Sequence, residues 1–316
     1  MLMSVLILLA GFALLYFGGE YLVKGSSSLA LQLGVTPLLV GLTVVAFGTS
    51  SPEMAVSVKA GLSGVGDVAL GNVVGSNIFN ILGILGIAAL VQPMVVKAQI
   101  IQVDSPIMIG VSLLLCFFYR DGMLSRAEGI GLFLGIIVYV IFSIRLARKE
   151  KQEVKDEFAE GIQEDHQPLW VNLLFIGGGL VALVFGGRFF VDGSVAIARS
   201  LGVTEAVIGL TIVAIGTSMP ELATSLIASM KKEGDIAIGN IVGSNIFNIL
   251  AILGITAMLQ PLAMGNITWT DMVVMVVTAV VLVPIMRTGF TISRAEGAVM
   301  LVAYVGYVVY LIGQQP

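Results

Sequence analysis

Two glutamates, Glu53 and Glu221, each directly follow a proline inside an apolar stretch. They lie in the segments GTSSPEMAVS and GTSMPELATS, and neither segment contains a basic residue that could pair with the carboxylate. An ionisable side chain within a lipid bilayer is costly unless it is paired or hydrated, so it marks a functional site. We therefore expect the two carboxylates to bind a cation.

The residues around both glutamates supply further oxygen atoms. Pro52 and Pro220 remove a backbone donor before each glutamate, which would free carbonyl oxygens near Ala46 and Thr49 and at the matching second-segment positions. Each following apolar segment carries a serine and an asparagine one turn apart on one helix face. These residues are Ser76 with Asn80, and Ser244 with Asn248.

Carboxylate, amide, hydroxyl and carbonyl oxygens together form a ligand set for a hard cation such as calcium. The motifs contain no cysteine thiolate or imidazole, which argues against zinc or copper. Two facing carboxylates without a cation would repel each other, and one would tend to hold a proton. They can neutralise one divalent cation, or hold monovalent cations with the other oxygens completing the shells. A site that accepts either, but not both together, would act as an exchanger.

The composition predicts an integral membrane protein. Hydrophobic residues make up 57% of the chain and charged residues 11%, with a mean hydropathy of +1.03, whereas soluble domains have about 25% charged residues. Ten apolar runs are long enough to cross a bilayer as helices. The predicted spans are 2–23, 37–62, 68–91, 103–119, 125–146, 169–191, 203–230, 235–259, 270–287 and 293–312. The runs are continuous, unlike β-barrel strands, and the first lacks the basic region and cleavage site of a signal peptide.

The chain also contains an internal repeat. Residues 34–93 align without gaps onto residues 202–261, with about 37 of 60 positions identical. We predict an all-α membrane protein of two five-helix repeats at 1–146 and 169–316, joined by a charged linker at 147–168. Because five is odd, the second repeat enters the membrane from the opposite side. Such inverted repeats place broken helices and a substrate site near the membrane midplane.

Basic residues are unevenly distributed in this topology. Of the 16 lysines and arginines, 11 fall on the side that carries the linker and 5 on the other. Cytoplasmic loops carry the excess of basic residues. We therefore expect the linker in the cytoplasm, both termini on the outside, and a multi-pass protein of the cell (plasma) membrane.

Other polar residues have simple structural interpretations. Asp67 and Asp235, each after a glycine, are expected to be helix N-caps. The three serines at 26–28 are expected near a helix end, where backbone or solvent satisfies them. The two SRAEG segments predict capping boxes, formed by Ser125 with Glu128 and by Ser293 with Glu296.

Small and isolated residues receive similar interpretations. The glycine pairs Gly71 with Gly75, and Gly239 with Gly243, have the spacing that lets helices pack closely. His166 lies in the charged linker and is expected to be solvated. The single cysteine, Cys116, excludes an internal disulfide.

The paired motifs G-T-S-x-P-E and G-N-x-x-G-S-N resemble those of the calcium/cation antiporter superfamily, in particular the prokaryotic sodium/calcium exchangers, over the entire chain. The resemblance implies a ten-helix antiporter that moves calcium against a sodium gradient, electrogenically and by alternating access. It implies calcium ligands at Glu53 and Glu221 with the carbonyls of Thr49 and Thr217. It implies sodium sites at Ala46, Ser50, Ser76, Ala214, Ser218 and Ser244 with the two glutamates. Asn80 and Asn248 would complete the cavity.

The resemblance also indicates which ions the protein transports and which regulatory domains and partners it lacks. Potassium-dependent relatives carry aspartate where this chain has Asn248, so potassium co-transport is not expected. The linker is too short for a cytoplasmic calcium-sensing domain. We expect calcium and sodium as transported ions within a lipid bilayer, with no cofactor, nucleic acid or required protein partner.

Three alternatives stay open at this point. A proton/calcium exchanger would use the glutamates as proton carriers in the return step. A cation channel would conduct through the same polar residues without alternating states. An intramembrane enzyme would need a base beside the serines, and the motifs contain no histidine, lysine or H-E-x-x-H cluster.

Overall fold

Helices form nearly all of the secondary structure in the computed structural model. The structure describes residues 2–157, 168–202, 214–263, 265 and 267–313, and at 148–157 and 214 it describes the backbone alone. The helices are α1 Leu2–Leu33, α2 Pro37–Thr49, α3 Ser51–Leu62, α4 Gly66–Val91, α5 Ile100–Tyr119, α6 Arg126–Glu157, α7 Leu169–Ser200, α8 Ala214–Gly216, α9 Met219–Met230, α10 Gly234–Leu259, α11 Trp269–Arg287 and α12 Arg294–Gly313.

Eight helices in the described ranges are long and apolar enough to cross a bilayer, and a ninth crossing forms if α2 and α3 count as one broken span. The remaining predicted span, 203–230, is represented by α8 and α9, while 203–213 lies outside the described residues. The predicted linker begins within a helix, because α6 continues to Glu157. The part of the linker at 158–167, with His166, also lies outside the described residues.

Helix α1 is longer than predicted. The predicted span ended at residue 23, whereas the helix continues to Leu33, and charged side chains along it find partners on other helices. Glu20 forms an ion pair with Lys231 at 2.7 Å, and the Lys24 ammonium lies 5.1 Å from the ring centre of Phe175. The expectation was wrong for Ser26 and Ser27, because both lie within α1 and their buried hydroxyls have no hydrogen-bond partner among the described residues.

Helices α1 and α7 pack along most of their length through glycines spaced seven residues apart. The series are Gly11, Gly18 and Gly25 on α1, and Gly179, Gly186 and Gly193 on α7. A β-carbon on Gly18 would lie 2.9 Å from the carbonyl oxygen of Gly179, and one on Gly179 would lie 2.7 Å from that of Gly18. Glycine is therefore required for this approach, because even a methyl group would overlap the facing backbone.

Helices α4 and α10 form the centre of the molecule. In each, 83% of the most apolar stretch is buried by protein, against 44% or less for the other long helices in the described ranges. Both contain a π-helical segment, Phe79–Leu85 in α4 and Asn248–Leu253 in α10. Such segments interrupt regular hydrogen bonding and are frequent at functional sites. The G-N-x-x-G-S-N motifs lie on these two buried helices.

The predicted helix breaks are present. Helices α2 and α3 meet at Ser50, whose ψ of 7° departs from helical geometry, with a bend of 47°. Ser218 has a ψ of 12° at the start of α9. Pro52 and Pro220 occupy the first turn of the helix after each break, where a missing backbone donor costs nothing.

Two short antiparallel ribbons join the halves of the chain. The strands are β1 Met94–Val95, β2 Met123–Leu124, β3 Leu262–Ala263 and β4 Thr291–Ile292. Met94 pairs with Ile292 in one ribbon, and Leu124 pairs with Leu262 in the other. Each ribbon therefore pairs a loop of one half with a loop of the other, in exchanged order.

Candidate functional site

The two glutamates are bound across the repeats by the serines of the helix breaks. The Ser50 hydroxyl donates to Glu221 Oε1 at 2.9 Å, and the Ser218 hydroxyl donates to Glu53 Oε1 at 2.9 Å. Glu53 and Glu221 are each 1% exposed. Each break therefore places its serine against the glutamate of the other half, and the two breaks meet at one buried site.

The serines of the central helices join the same network. The Ser50 hydroxyl lies 3.0 Å from the hydroxyl of Ser244 on α10, and the Ser218 hydroxyl lies 3.1 Å from that of Ser76 on α4. All four serines are buried. The structure thus brings together six predicted site residues, two glutamates and four serines, from both halves.

The predicted asparagines are held by a second pair that the sequence analysis did not single out. Asn80 Nδ2 donates to Asn245 Oδ1 at 3.0 Å, and Asn248 Nδ2 donates to Asn77 Oδ1 at 2.9 Å. The amides of Asn77 and Asn245 also donate to each other's backbone carbonyls, both at 3.2 Å. These contacts fix α4 against α10 at the level of the site.

Asn72 and Asn240, the first asparagines of the repeated motifs, support the helix breaks. The Thr49 hydroxyl donates to Asn240 Oδ1 at 3.0 Å, and the Thr217 hydroxyl is 3.4 Å from Asn72 Oδ1. Asn72 Nδ2 also donates to the Glu53 carbonyl at 3.2 Å. The signal that could have identified them was the repeat itself, which preserves asparagine at both positions.

The backbone at the first break differs in one respect from the prediction. The Ala46 carbonyl accepts the Ser50 N–H at 3.1 Å and faces the Thr49 hydroxyl at 3.4 Å. It is therefore not freed by Pro52, because the chain keeps helical hydrogen bonding up to Ser50. Ala214, its counterpart, begins α8.

Four side-chain oxygens of this network are buried and have no hydrogen-bond donor among the described residues. They are Glu53 Oε2, Glu221 Oε2, Asn80 Oδ1 and Asn248 Oδ1. They form two pairs of equivalent atoms, one from each half of the chain. A buried acceptor without a donor is costly, and a hard cation satisfies such oxygens directly. The network leaves free the atoms that a cation would use.

Comparison with known proteins agrees with this geometry. The sequence model of the family described as sodium/calcium exchanger protein matches twice, at residues 3–145 and 171–313. The chain belongs to the sodium/calcium exchanger family.

Individual relatives of the family match nearly the full length. The chain is 40% identical to the putative antiporter CaxA of Alkalimonas amylolytica, over 97% of this chain and 98% of that protein. It is 35% identical to the sodium/calcium exchanger MaX1 of Methanosarcina acetivorans, over 97% of both. Its fold is similar to solved structures of the sodium-calcium exchanger NCX_Mj, with a TM-score of 0.83 at 29% identity over 98% of both chains. Family and fold are therefore those of membrane antiporters for calcium and sodium.

In this member of the family the surroundings of the site are unequal in the two halves. A cavity of about 480 Å³ reaches the site beside α4. Its polar lining consists of Asn72, Ser76, Thr217, Asp271, Tyr304 and Tyr307. We call this cavity the vestibule. The residues that match the first three in the other half, Asn240, Ser244 and Thr49, are fully buried.

The motif glycines of α10 contact α2, whereas most of the segment that matches α2 in the other half, 205–213, lies outside the described residues. A β-carbon on Gly243 would lie 2.6 Å from the carbonyl oxygen of Leu42, and one on Gly239 would lie 3.0 Å from that of Leu38. At Gly75, no atom of the described residues outside its own helix lies within 4 Å of that position. The close-packing prediction is confirmed for α10, whereas α4 borders the vestibule at Gly75.

Two cap predictions for this exchanger-family chain had different outcomes. The capping boxes are confirmed: Glu128 Oε2 accepts the Ser125 N–H at 2.7 Å, and Glu296 Oε2 accepts the Ser293 N–H at 2.8 Å. The N-cap prediction for Asp67 and Asp235 was wrong. The N-caps are Val65 and Glu233, and both aspartates lie in the first turn instead, where Asp235 forms an ion pair with Lys97 at 2.6 Å.

Proposed function

We propose that this protein is a secondary antiporter that exchanges calcium for sodium across the plasma membrane, electrogenically and by alternating access. The observation that carries the proposal is the set of four donor-free buried oxygens from Glu53, Glu221, Asn80 and Asn248. Two carboxylates balance the charge of one calcium ion, and amide oxygens can extend its coordination shell. The family, the relative MaX1 and the solved structures of NCX_Mj are named for this pair of ions.

We assign the ligands as follows. Calcium is bound by the carboxylates of Glu53 and Glu221 with the carbonyls of Thr49 and Thr217. Sodium is bound at overlapping positions formed by Ala46, Ser50, Ser76, Ala214, Ser218 and Ser244 with the two glutamates. Asn80 and Asn248 complete the cavity. This assignment is supported by the convergence of the glutamates and serines on one buried network.

We further propose ten membrane spans in two inverted repeats, 1–146 and 169–316, with the linker 147–168 in the cytoplasm and both termini outside. Contacts between the halves occur in exchanged pairs, which supports a two-fold relation: Ser50 binds Glu221 as Ser218 binds Glu53. The two ribbons obey the same exchange. The two-fold match to the family model at 3–145 and 171–313 supports these boundaries.

Alternating access is supported by the inequality of the halves. The side of the site beside α10 is closed where Gly239 and Gly243 contact α2, and the side beside α4 opens into the vestibule. If the halves exchange these arrangements, the site opens to the other side of the membrane. We infer that this exchange requires no new fold, because both halves carry the same motifs.

The test is uptake of calcium-45 into proteoliposomes that contain the purified protein. Vesicles are loaded with sodium, potassium, choline or acid and diluted into sodium-free buffer with calcium-45. We expect uptake to require internal sodium. We also expect an inside-positive potential to increase uptake, because electrogenic exchange moves net positive charge out of the vesicle. Uptake that follows the pH gradient without sodium would contradict sodium coupling and favour proton/calcium exchange. Uptake without any counter-ion would favour a channel.

A further inference from the structure

A second pair of acidic side chains lies near the site without belonging to it. Asp271, 8% exposed, lines the vestibule together with Tyr307, and its Oδ1 accepts the Tyr307 hydroxyl at 2.8 Å. Asp104, 1% exposed, is the counterpart in the other half, and its Oδ1 accepts the Tyr139 hydroxyl at 3.3 Å. An aspartate within a membrane segment is a functional candidate in its own right.

The correspondence of the two pairs does not show in the gapless alignment. Tyr139 and Tyr307 are 168 residues apart, the offset of the repeat, but the aspartates are separated from their tyrosines by 35 and 36 residues. The first half has one more residue before its aspartate. The π-helical turn Ile100–Asp104 accommodates this residue, because a π turn inserts one residue without ending a helix. The Asp–Tyr contact is thus kept although the sequence register is not.

Helix capping does not explain what the two pairs share. Asp271 Oδ2 accepts the N–H and hydroxyl of Thr268 in a capping box at the start of α11. At Asp104 the helix begins earlier, with the π turn Ile100–Asp104, so this aspartate lies beyond the first residues of its helix. The feature common to both halves is a buried carboxylate that accepts a tyrosine hydroxyl.

The two Asp–Tyr pairs differ in whether a cavity reaches them, as the two halves of the site do. The Asp271 pair shares the vestibule with Ser76, Asn72 and Thr217, whereas Asp104 and Tyr139 are buried within the protein. We propose that Asp271 and Asp104 are access sites for the transported cation, one for each side of the membrane. Each carboxylate binds a divalent cation that has lost part of its water, in place of the tyrosine hydroxyl, before the cation passes to the glutamates. This inference rests on the proposed function and on exchange of the two halves.

The test is calcium transport measured separately from each face. Right-side-out and inverted membrane vesicles are prepared from cells expressing Asp271→Asn, Asp104→Asn or the wild type, with vesicles from non-expressing cells as blank. Asp271→Asn is expected to raise the KM for calcium roughly tenfold at the face where α12 ends. This is the lower end of the range by which a charged cleft increases the rate of ion association. The KM at the opposite face stays unchanged. Asp104→Asn is expected to do the reverse.

The tyrosine variants separate this role from structural support. Tyr307→Phe frees Asp271 Oδ1 and is expected to lower the KM at the same face by roughly threefold, the worth of one net hydrogen bond. This variant also keeps the test decisive should Asp271→Asn fail to fold. Glu296→Gln removes a capping acid outside the vestibule and is the control, with both KM values expected at wild-type level.

The results that would contradict the access sites differ from those that would contradict the proposed function. An unchanged KM in the Asp271 and Tyr307 variants, or an equal change at both faces, would contradict the access sites and leave a structural role. Wild-type vesicles without sodium-dependent calcium uptake would contradict the proposed function instead. The two failures are therefore distinguishable in one set of vesicles.

Discussion

At the scale of single residues, the site is defined by which oxygen atoms already have a donor. One oxygen of each glutamate accepts a serine hydroxyl from the other half, and the second oxygen has no donor in the described part of the chain. The serine contacts orient each carboxylate, so Glu53 Oε2 and Glu221 Oε2 are fixed before a cation arrives. Such preorganisation lowers the cost of ordering the ligands on binding.

Neutralising one glutamate tests this arrangement. Glu53→Gln or Glu221→Gln keeps an acceptor for the serine hydroxyl but removes one of two charges, so exchange is expected to fall by roughly a hundredfold or more. A unit charge about 4 Å away is worth about 4 kcal/mol at an effective dielectric of about 20. Calcium-45 uptake and size-exclusion profiles measure activity and folding, with Glu128→Gln as a charge-matched control at a helix cap. A normally active Gln variant would contradict the assignment.

The sequence pattern singled out the two glutamates, Ser76 with Asn80 and Ser244 with Asn248, because each is polar in an apolar helix and recurs in the repeat. Ser50 and Ser218 entered through the family resemblance, and the ligand roles of all these residues stay predictions. It did not single out Asn77 and Asn245. Their role depends on contacts from α4 to α10, which spacing along one helix cannot reveal. The prediction of a free Ala46 carbonyl was wrong for a related reason. A proline lacks its own N–H, but Ser50 lies before the proline and its N–H still donates to the Ala46 carbonyl.

At the scale of elements, breaks and glycines determine how the helices meet. The prolines predicted the breaks correctly, since the residue pattern fixes local backbone geometry. The length of α1 was not predicted, because Glu20 and Lys24 find their partners on other helices, Lys231 and Phe175. Helix ends in a membrane therefore depend on tertiary contacts as well as on hydropathy.

The glycine seam between α1 and α7 gives a prediction with an adjacent control. Gly179→Leu would force a side chain into the backbone of α1, and overpacking of this kind costs about 1–3 kcal/mol or more. Gly178 meets no atom of another helix in the described ranges within 4 Å of its β position, so Gly178→Leu adds the same side chain without a clash. Thermal unfolding in detergent is expected to show a lower Tm for Gly179→Leu alone. Equal Tm values would contradict the seam.

At the scale of the whole molecule, the two halves share a sequence pattern but differ in how deeply their described site residues are buried. The repeat predicted that equivalent residues would meet at one site, and they do. It could not predict which side is closed, because both halves carry the same motif glycines. That difference becomes visible only where Gly243 contacts Leu42 and Gly75 borders the vestibule.

A methyl group at Gly75 tests whether the halves exchange conformations. In the present conformation, the methyl group of Gly75→Ala meets no atom of the described residues within 4 Å, but it would clash if α4 adopts the packing of α10. Overpacking costs about 1–3 kcal/mol, so transport is expected to slow by roughly tenfold to a hundredfold. Calcium binding is expected to persist. Gly110→Ala, at a helix position with no neighbouring atom within 4 Å among the described residues, controls for the gain in helix propensity. Undiminished transport by Gly75→Ala would contradict the exchange.

The most direct test of the central claim is a crystal structure of the protein with calcium or strontium, with the ion located by anomalous scattering. The account predicts a peak at about 2.3–2.6 Å from Glu53 Oε2 and Glu221 Oε2, the range for calcium–oxygen ligation, and loss of that peak in Glu53→Gln. A divalent ion bound elsewhere, with both carboxylate oxygens still without a ligand, would contradict the claim that these glutamates hold the transported cation.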